Sequence, residues 1–293
     1  LTAVAAGAEL VLSVNGSNID VARDLSGTGA RVVVVPDLGG PLETLEPSLE
    51  ALERCGVRYL IDPILEPIGF GFMASLERYA EVRRRYPEAE MLMGIGNLTE
   101  LTAADSTGVN AMMIAVCQEL GVRAVLTTEV IPWARGSVRE VDIARRLMHY
   151  AVTEHTIPKG VDDRLVTIKD AEILAFTEQE LRTLQSDITD PNFRIFADHE
   201  AITVLNNQRF VRTTDLTRIG DLFAELEVDE PTHAFYLGKE LARASLAVTL
   251  GKTYRQEGAL SWGYLTPPDD AKSAHVRLTE RSRRTDRADG SDA

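Results

Sequence analysis

The chain has 293 residues, 44% hydrophobic and 26% charged, enough for one large domain or two ordinary ones and too apolar for a disordered chain. Its 45 acidic residues against 31 basic ones give a formal charge of −14, so no basic face tracks phosphates and nucleic acid is not an expected partner. No run approaches the ~18 apolar residues of a membrane helix, and residues 1–7 lack the basic flank of a signal peptide. With two cysteines, Cys55 and Cys117, both in helical apolar patterns, a reducing cytoplasm and no membrane partner are expected. A start at Leu1, with a strand pattern about eight residues on, reads as a processed or truncated chain.

Five short runs come first: Glu9–Val14, Arg31–Val35, Arg58–Ile61, Glu90–Met93 and Arg123–Thr127. An amphipathic helical stretch follows each, at about 17–25, 41–55, 72–86, 105–120 and 138–153. Apolar strands alternating with helices predict a parallel α/β sheet, either doubly wound or part of an eight-unit barrel. Pro87 should close the third helix, whose Arg83, Arg84 and Arg85 read as a solvated face. No Gly-x-Gly-x-x-Gly follows the first strand, so no nucleotide cofactor is expected, nor haem.

From about residue 161 the pattern changes to a small α+β domain, 161–266. Leu165–Ile168 reads as a strand, and Thr177 with Glu180 as a capping box starting a helix through Ser186. Strands at Phe193–Phe196, Ile202–Leu205 and Gln208–Arg212 follow, the last two joined at Asn206-Asn207. Helices at Asp215–Leu226 and Thr232–Leu250 complete it, with Ala242, Ala244, Leu246, Ala247 and Leu250 as the packed face of the second. Residues 267–293 mix charges without periodicity and are expected to be disordered.

In parallel α/β folds the ligand lies beyond the carboxyl ends of the strands. Asn15, Asp37, Asp62, Asn97 and Glu129 stand at or just beyond those ends, and such polar groups are costly there unless partnered. The set suits a flat heterocycle with amide and guanidine edges, Asp62 accepting two N–H bonds while Asn15 and Asn97 read donors and acceptors. The turn Arg135-Gly136-Ser137, with Ser137 as helix N-cap, makes a candidate anion site. His149 and His155 have no metal-ligand spacing, and no metal ligands are expected in the chain itself.

Asp62-Pro63, Gly69-Phe70-Gly71-Phe72, Gly94-Ile95-Gly96-Asn97 and Asp105-Ser106-Thr107-Gly108-Val109-Asn110-Ala111 together resemble the pterin-binding barrels. That superfamily includes dihydropteroate synthase and the methyltetrahydrofolate:corrinoid methyltransferases. Leu126-Thr127-Thr128-Glu129-Val130 and Arg135-Gly136-Ser137-Val138-Arg139-Glu140 extend the resemblance to the dihydropteroate synthase-related proteins of methanogens and of methylotrophs that use tetrahydromethanopterin. The resemblance implies that residues 1–160 are the last five βα units of a TIM-barrel-type pterin-binding domain. It also implies that Asn15 and Asp62 are its pterin-binding asparagine and aspartate. Gly96-Asn97-Leu98 departs from the Ser-Arg-Lys of the synthases and is closer to the methyltransferases, whose asparagine reaches the pterin near N5. Thr127-Thr128-Glu129 likewise replaces the synthases' Arg-x-His.

The implied function is a dihydropteroate synthase-like transferase joining a hydroxymethyl-dihydropterin diphosphate to an arylamine in tetrahydromethanopterin biosynthesis. Asn15, Asp62, Asn97, Glu129, Arg135 and Ser137 are the candidate substrate-binding residues. Mg²⁺ is expected alongside a diphosphate substrate, the partners are a small-molecule pterin and an arylamine, and a homodimer is allowed. Two alternatives stand beside it: pterin-dependent methyl or one-carbon transfer, and a non-catalytic pterin-binding subunit.

Overall fold

The structure, a computed structural model, describes residues 1–170, 175–225, 228 and 230–267. Two units divide the chain, Leu1–Leu165 and Val166–Ala293. Beyond Pro267, the tail expected to be disordered lies outside the described residues.

In the first unit every expected strand and helix forms, with ends moved by a few residues. After a single turn, α1 (Thr2–Ala5), come β1 (Leu10–Val14), α2 (Val21–Leu25), β2 (Arg31–Val34) and α3 (Leu45–Arg54). Next are β3 (Tyr59–Ile61), α4 (Phe72–Arg85), β4 (Leu92–Gly94) and α5 (Gly96–Thr99). α6 (Ser106–Leu120), β5 (Ala124–Leu126) and α7 (Ser137–Thr153) complete it. All strand pairs are parallel and sequential: β1 on β2, β2 on β3 and β4 on β5, with the bridge Ile61 to Met91 joining β3 to β4.

Side-chain alternation separates the two faces of the strands. Val32, Val34, Ile61, Met91 and Met93 pack into one core with Ala22, Leu45, Leu49, Leu52, Tyr79, Val82, Met113 and Cys117 from the helices. Val33, Val35, Leu60 and Leu92 point the other way and cluster with Leu10, Ile64 and Ala124, all from strands or their ends. Helices therefore cover one face, and the other is filled by the strands' own side chains. A doubly wound sheet would carry helices on both faces. Among the described residues β1 and β5 are each paired on one side only, so the five strands do not close.

Arg83 corrects the expectation of a solvated arginine run. Arg84 and Arg85 do pair with Glu81 on the outer surface. Arg83 instead donates to Leu120 O (2.7 Å), Gly121 O (3.1 Å), Pro87 O (2.6 Å) and Ala89 O (3.1 Å). One guanidinium thus satisfies carbonyls that the end of α6 and the α4–β4 connection leave without helical partners. Gly121, at φ +67°, supplies the left-handed residue that turns Val122 N back to Cys117 O (2.8 Å). Cys117 is buried, Cys55 is half-buried, and both are free thiols.

The second unit holds α8 (Glu178–Asp187), β6 (Arg194–Ala197), β7 (Ile202–Leu205), β8 (Phe210–Thr213), α9 (Leu216–Glu225), α10 (Pro231–Leu250) and β9 (Tyr254–Arg255). Its antiparallel sheet has the order β8-β7-β6-β9. Ile195, Ala197, Ile202 and Val204 face α9 and α10, whereas Phe196 and Leu205 pack with Leu181 of α8. This is the two-residue period of a sheet covered on both sides. Thr177 and Glu180 form the expected capping box. Asn206 makes the β7–β8 turn by accepting from Gln208 N (2.9 Å) and Arg209 N (2.8 Å), so Asn207 and Gln208 are its central residues.

Two expectations fail here. Leu165–Ile168 is turn and irregular chain: among the described residues no strand pairs with it, and the following Lys169 O is taken by Lys252 Nζ (3.0 Å). On α10 the packed face holds only in part: Ala244 and Ala247 are buried as expected, beside Leu237 and Glu240, whereas Ala242 and Leu246 are exposed. Among the described residues, no helix is long and apolar enough to cross a membrane.

Because four carbonyls depend on Arg83, replacing it should unfold more than a surface position. Arg83→Met is expected to lower unfolding stability by about 2 kcal/mol or more, with Arg84→Met changing it by less than about 0.5 kcal/mol. Urea denaturation followed by circular dichroism measures both.

Candidate functional site

Asp62 stands one residue beyond β3, half-buried. Its Oδ1 accepts from Ile64 N (2.8 Å) and from the Tyr79 hydroxyl (2.6 Å). Both bonds fall on one oxygen and leave Oδ2 outside them. Burial raises the Asp62 carboxyl above its ordinary value, against the opposing pull of the Tyr79 hydroxyl, the Ile64 amide and the Arg78 charge. Tyr79, fully buried on α4, is pushed well above the ordinary phenol value by burial and by the Asp62 charge, and stays a donor.

Asn97 lies on α5, after β4, and its Nδ2 donates to Leu65 O (2.7 Å), three residues past Asp62. The β3 and β4 loops are thereby tied together, and Asp62 and Asn97 belong to one rim. Asn15 sits at the end of β1 with its amide oxygen engaged locally, accepting from Ser17 N (3.0 Å) and Ser17 Oγ (2.7 Å). The next residue, Gly16, donates its amide to Asp37 Oδ1 (2.8 Å), and a Cβ there would come within 2.9 Å of that oxygen. Gly16 and Asp37 thus tie the β1 and β2 ends together. Around these polar ends the loops after β2, β3, β4 and β5 expose Leu38, Phe70, Leu101 and Val130.

At β5 the arrangement differs from the expected anion site. Gly136, at φ +96°, is the N-cap of α7, and Ser137 is the first helical residue, buried with its Oγ unpartnered by any hydrogen bond. Glu129 supplies the missing acceptor from nine residues upstream, its Oε1 taking Val138 N (2.9 Å). A carboxylate of the chain already occupies the place where a bound anion would sit. Arg135 is exposed beside it. The loop is pinned further by Glu100, which accepts from Thr128 Oγ1 (2.6 Å), Val130 N (2.9 Å) and Ile131 N (2.8 Å). Those bonds, led by that from Thr128, hold the Glu100 carboxyl below its ordinary value.

The sequence reading missed Glu140. Only 2% exposed, its carboxylate takes Ser106 Oγ (2.7 Å), Asn110 Nδ2 (2.7 Å) and Thr107 Oγ1 (2.8 Å) from α6. Two motifs of the family resemblance, at 105–111 and 135–140, therefore meet as one polar contact between α6 and α7. A polar Asn110 on a helix otherwise facing Met113, Ile114 and Cys117 inward was the available signal.

The family model PterinBD-DUF4346 matches residues 187–257, from the end of α8 to the turn after β9. An uncharacterized protein of Methanocaldococcus jannaschii is 29% identical over 290 residues, covering 88% of this chain and 55% of its own length. The chain thus spans about half the length of the curated relative it matches. The family match lies within the second unit, whereas the six candidate residues lie in the first.

The raised Asp62 carboxyl has a stability consequence with a definite sign. A group whose folded-state value is raised binds its proton more tightly in the folded protein, so the ionised form costs stability above its titration range. Asp62→Asn retains an acceptor for Ile64 N and Tyr79 without the charge. Its melting temperature should exceed that of the unsubstituted protein at pH 7, and the difference should vanish as pH falls below the ordinary carboxylate range. Differential scanning calorimetry across pH checks both signs.

Proposed function

We propose that the first unit binds a pterin at the carboxyl ends of β3 and β4, and that the chain acts as a dihydropteroate synthase-like transferase. The observation that carries the reading is the Asp62 carboxylate, whose two hydrogen bonds among the described residues both fall on Oδ1, in a loop that Asn97 ties down at Leu65 O. A pterin presents an amino group and a ring N–H side by side, and a carboxylate oxygen with free lone pairs suits that edge. With Asn97 Nδ2 committed to Leu65 O, its Oδ1 serves as a further acceptor. The match of the second unit to a family named for pterin binding supports the ligand class independently.

In the reaction proposed, an arylamine attacks the exocyclic carbon of hydroxymethyl-dihydropterin diphosphate and the C–O bond to diphosphate breaks. The amine gains the carbon and releases a proton, and the diphosphate leaves with the electron pair. Such a step depends on positioning and on stabilising leaving-group charge more than on a protein nucleophile. Asp62 and Asn97 would orient the ring, and the exposed Arg135 would face the leaving group. We place the chain in tetrahydromethanopterin synthesis on the sequence resemblance.

Mg²⁺ would accompany the diphosphate, whose oxygens would supply most of its ligands. Glu100 and Glu129 give oxygens to backbone amides, and among the described residues no group of three or more His, Cys, Asp and Glu is placed to hold a metal. No step is routed through it. Glu129 on the start of α7 favours a second reading, a non-catalytic pterin-binding subunit, because it fills the position a diphosphate would use. Methyl transfer assisted by Asn97 is the third.

Equilibrium titration with hydroxymethyl-dihydropterin and with its diphosphate separates these readings. Tighter binding of the diphosphate, lost selectively in Arg135→Ala, supports the transferase; equal binding of both supports the binding subunit; tighter binding of a 5-methylpterin supports methyl transfer. In every case Asp62→Asn should weaken pterin binding at least about tenfold, since mismatched buried polar groups cost about 1–3 kcal/mol. Unchanged affinity in that variant would remove Asp62 from the site.

A further inference from the structure

We propose that Tyr79 and Arg78 are positioning residues: from one face of α4 they fix the Asp62 carboxylate in a strained loop and leave its Oδ2 to the ligand. The inference rests on the reading of Asp62 as the ligand's carboxylate.

The loop 62–66 is held at nearly every polar group. Arg78 donates through Nε to Pro63 O (3.1 Å) and through Nη2 to Ile64 O (2.8 Å). Leu65 O takes Asn97, and Glu66 N donates to Ser75 Oγ (3.2 Å). Ile64 N goes to Asp62 itself. Ser75, Arg78 and Tyr79 are spaced i, i+3 and i+4, so they form a single face of α4 turned to this loop. Ser75 and Tyr79 are fully buried, which fixes their rotamers by packing.

What this clamp maintains is costly. Ile64 has φ +65°, a left-handed conformation that a β-branched side chain adopts at a steric cost. A loop that merely joined β3 to α4 could place glycine there or relax. Held by two bonds from Arg78, one from Asn97 and one to Ser75, it instead brings Ile64 N and the Tyr79 hydroxyl onto the same oxygen, Oδ1. Strain held by surrounding contacts next to a candidate binding group is what preorganisation of a site requires.

The groups facing Asp62 are few. α4 contributes the Tyr79 hydroxyl and the Arg78 guanidinium, and Arg78 also lies 3.6 Å from the Glu66 carboxylate. From α6, Cys117 faces Tyr79, and burial pushes that thiol up to about 12. The Tyr79 hydroxyl donates to the ionised carboxylate, so its removal should move the Asp62 titration to higher pH.

Tyr79→Phe removes that donor and keeps the buried ring. Aspartate carboxyl carbons followed by NMR, with the Asp62 signal assigned through Asp62→Asn, should show its titration about one pH unit higher in Tyr79→Phe. Binding of pterin, measured by quenching of its fluorescence, should lose its acid limb at correspondingly higher pH and weaken by up to about tenfold within the shifted window. Arg78→Lys, which keeps the charge but cannot hold both carbonyls, should weaken pterin binding at all pH values. An Asp62 titration unmoved in Tyr79→Phe would overturn the inference, as would a moved titration that leaves the pH dependence of binding behind. Failure of the unsubstituted protein to bind pterin would overturn the pterin reading alone, and the carboxyl titration would then decide the inference by itself.

Discussion

Helices cover only one face of the five-stranded parallel sheet, and the rest of the first unit follows from that. The opposite face must exclude water with strand side chains alone, so Val33, Val35, Leu60 and Leu92 close on one another with Leu10, Ile64 and Ala124. Such a self-filled face demands large β-branched and aliphatic residues at alternate positions, while the other alternate set meets the helices. The strand ends rise from this packed layer, and polar groups there sit at the edge of an apolar core. Each needs a partner, from the chain or from a ligand.

The fates of those polar groups sort the rim. Glu100 and Glu129 are absorbed by backbone amides of the β5–α7 loop, and Asn15 by its own turn. Glu140, more deeply buried, is absorbed by three side chains of α6. Asp62 differs because both its donors, Ile64 N and the fully buried Tyr79 hydroxyl, converge on one oxygen. The same end of the sheet therefore contains a structural part, around α6 and α7, and the part around β3, α4 and β4 that the proposed function assigns to the ligand.

How much of this was legible in the sequence depended on whether the determining contact is local. β-branched runs such as Arg31–Val34 and the amphipathic period of α4 are local signals, and the strands and helices of the first unit followed them. The capping box at Thr177 and Glu180 is equally local. The start of α7 is not: Glu129 accepts from Val138 N nine residues on, so Ser137, a good cap by type, was assigned a role that geometry divides between Gly136 and Glu129. Leu165–Ile168 is β-branched enough for a strand but has no neighbour to pair with, which composition cannot reveal. Glu140 in a helix reads as a surface residue until α6 is packed against it. In the proposed site, the places of Asp62 and Asn97 after β3 and β4 were legible, whereas the α4 clamp required knowing that residues 75, 78 and 79 face the loop at 62–66.

The central claim is that the open oxygen of Asp62 receives the ring of a pterin, and a crystal structure of the protein with bound pterin tests it most directly. The account predicts an edge of the ring within hydrogen-bond distance of Asp62 Oδ2, with Asn97 beside it and Tyr79 still on Oδ1. A pterin seated instead among residues 187–257, with Asp62 Oδ2 untouched, would contradict it.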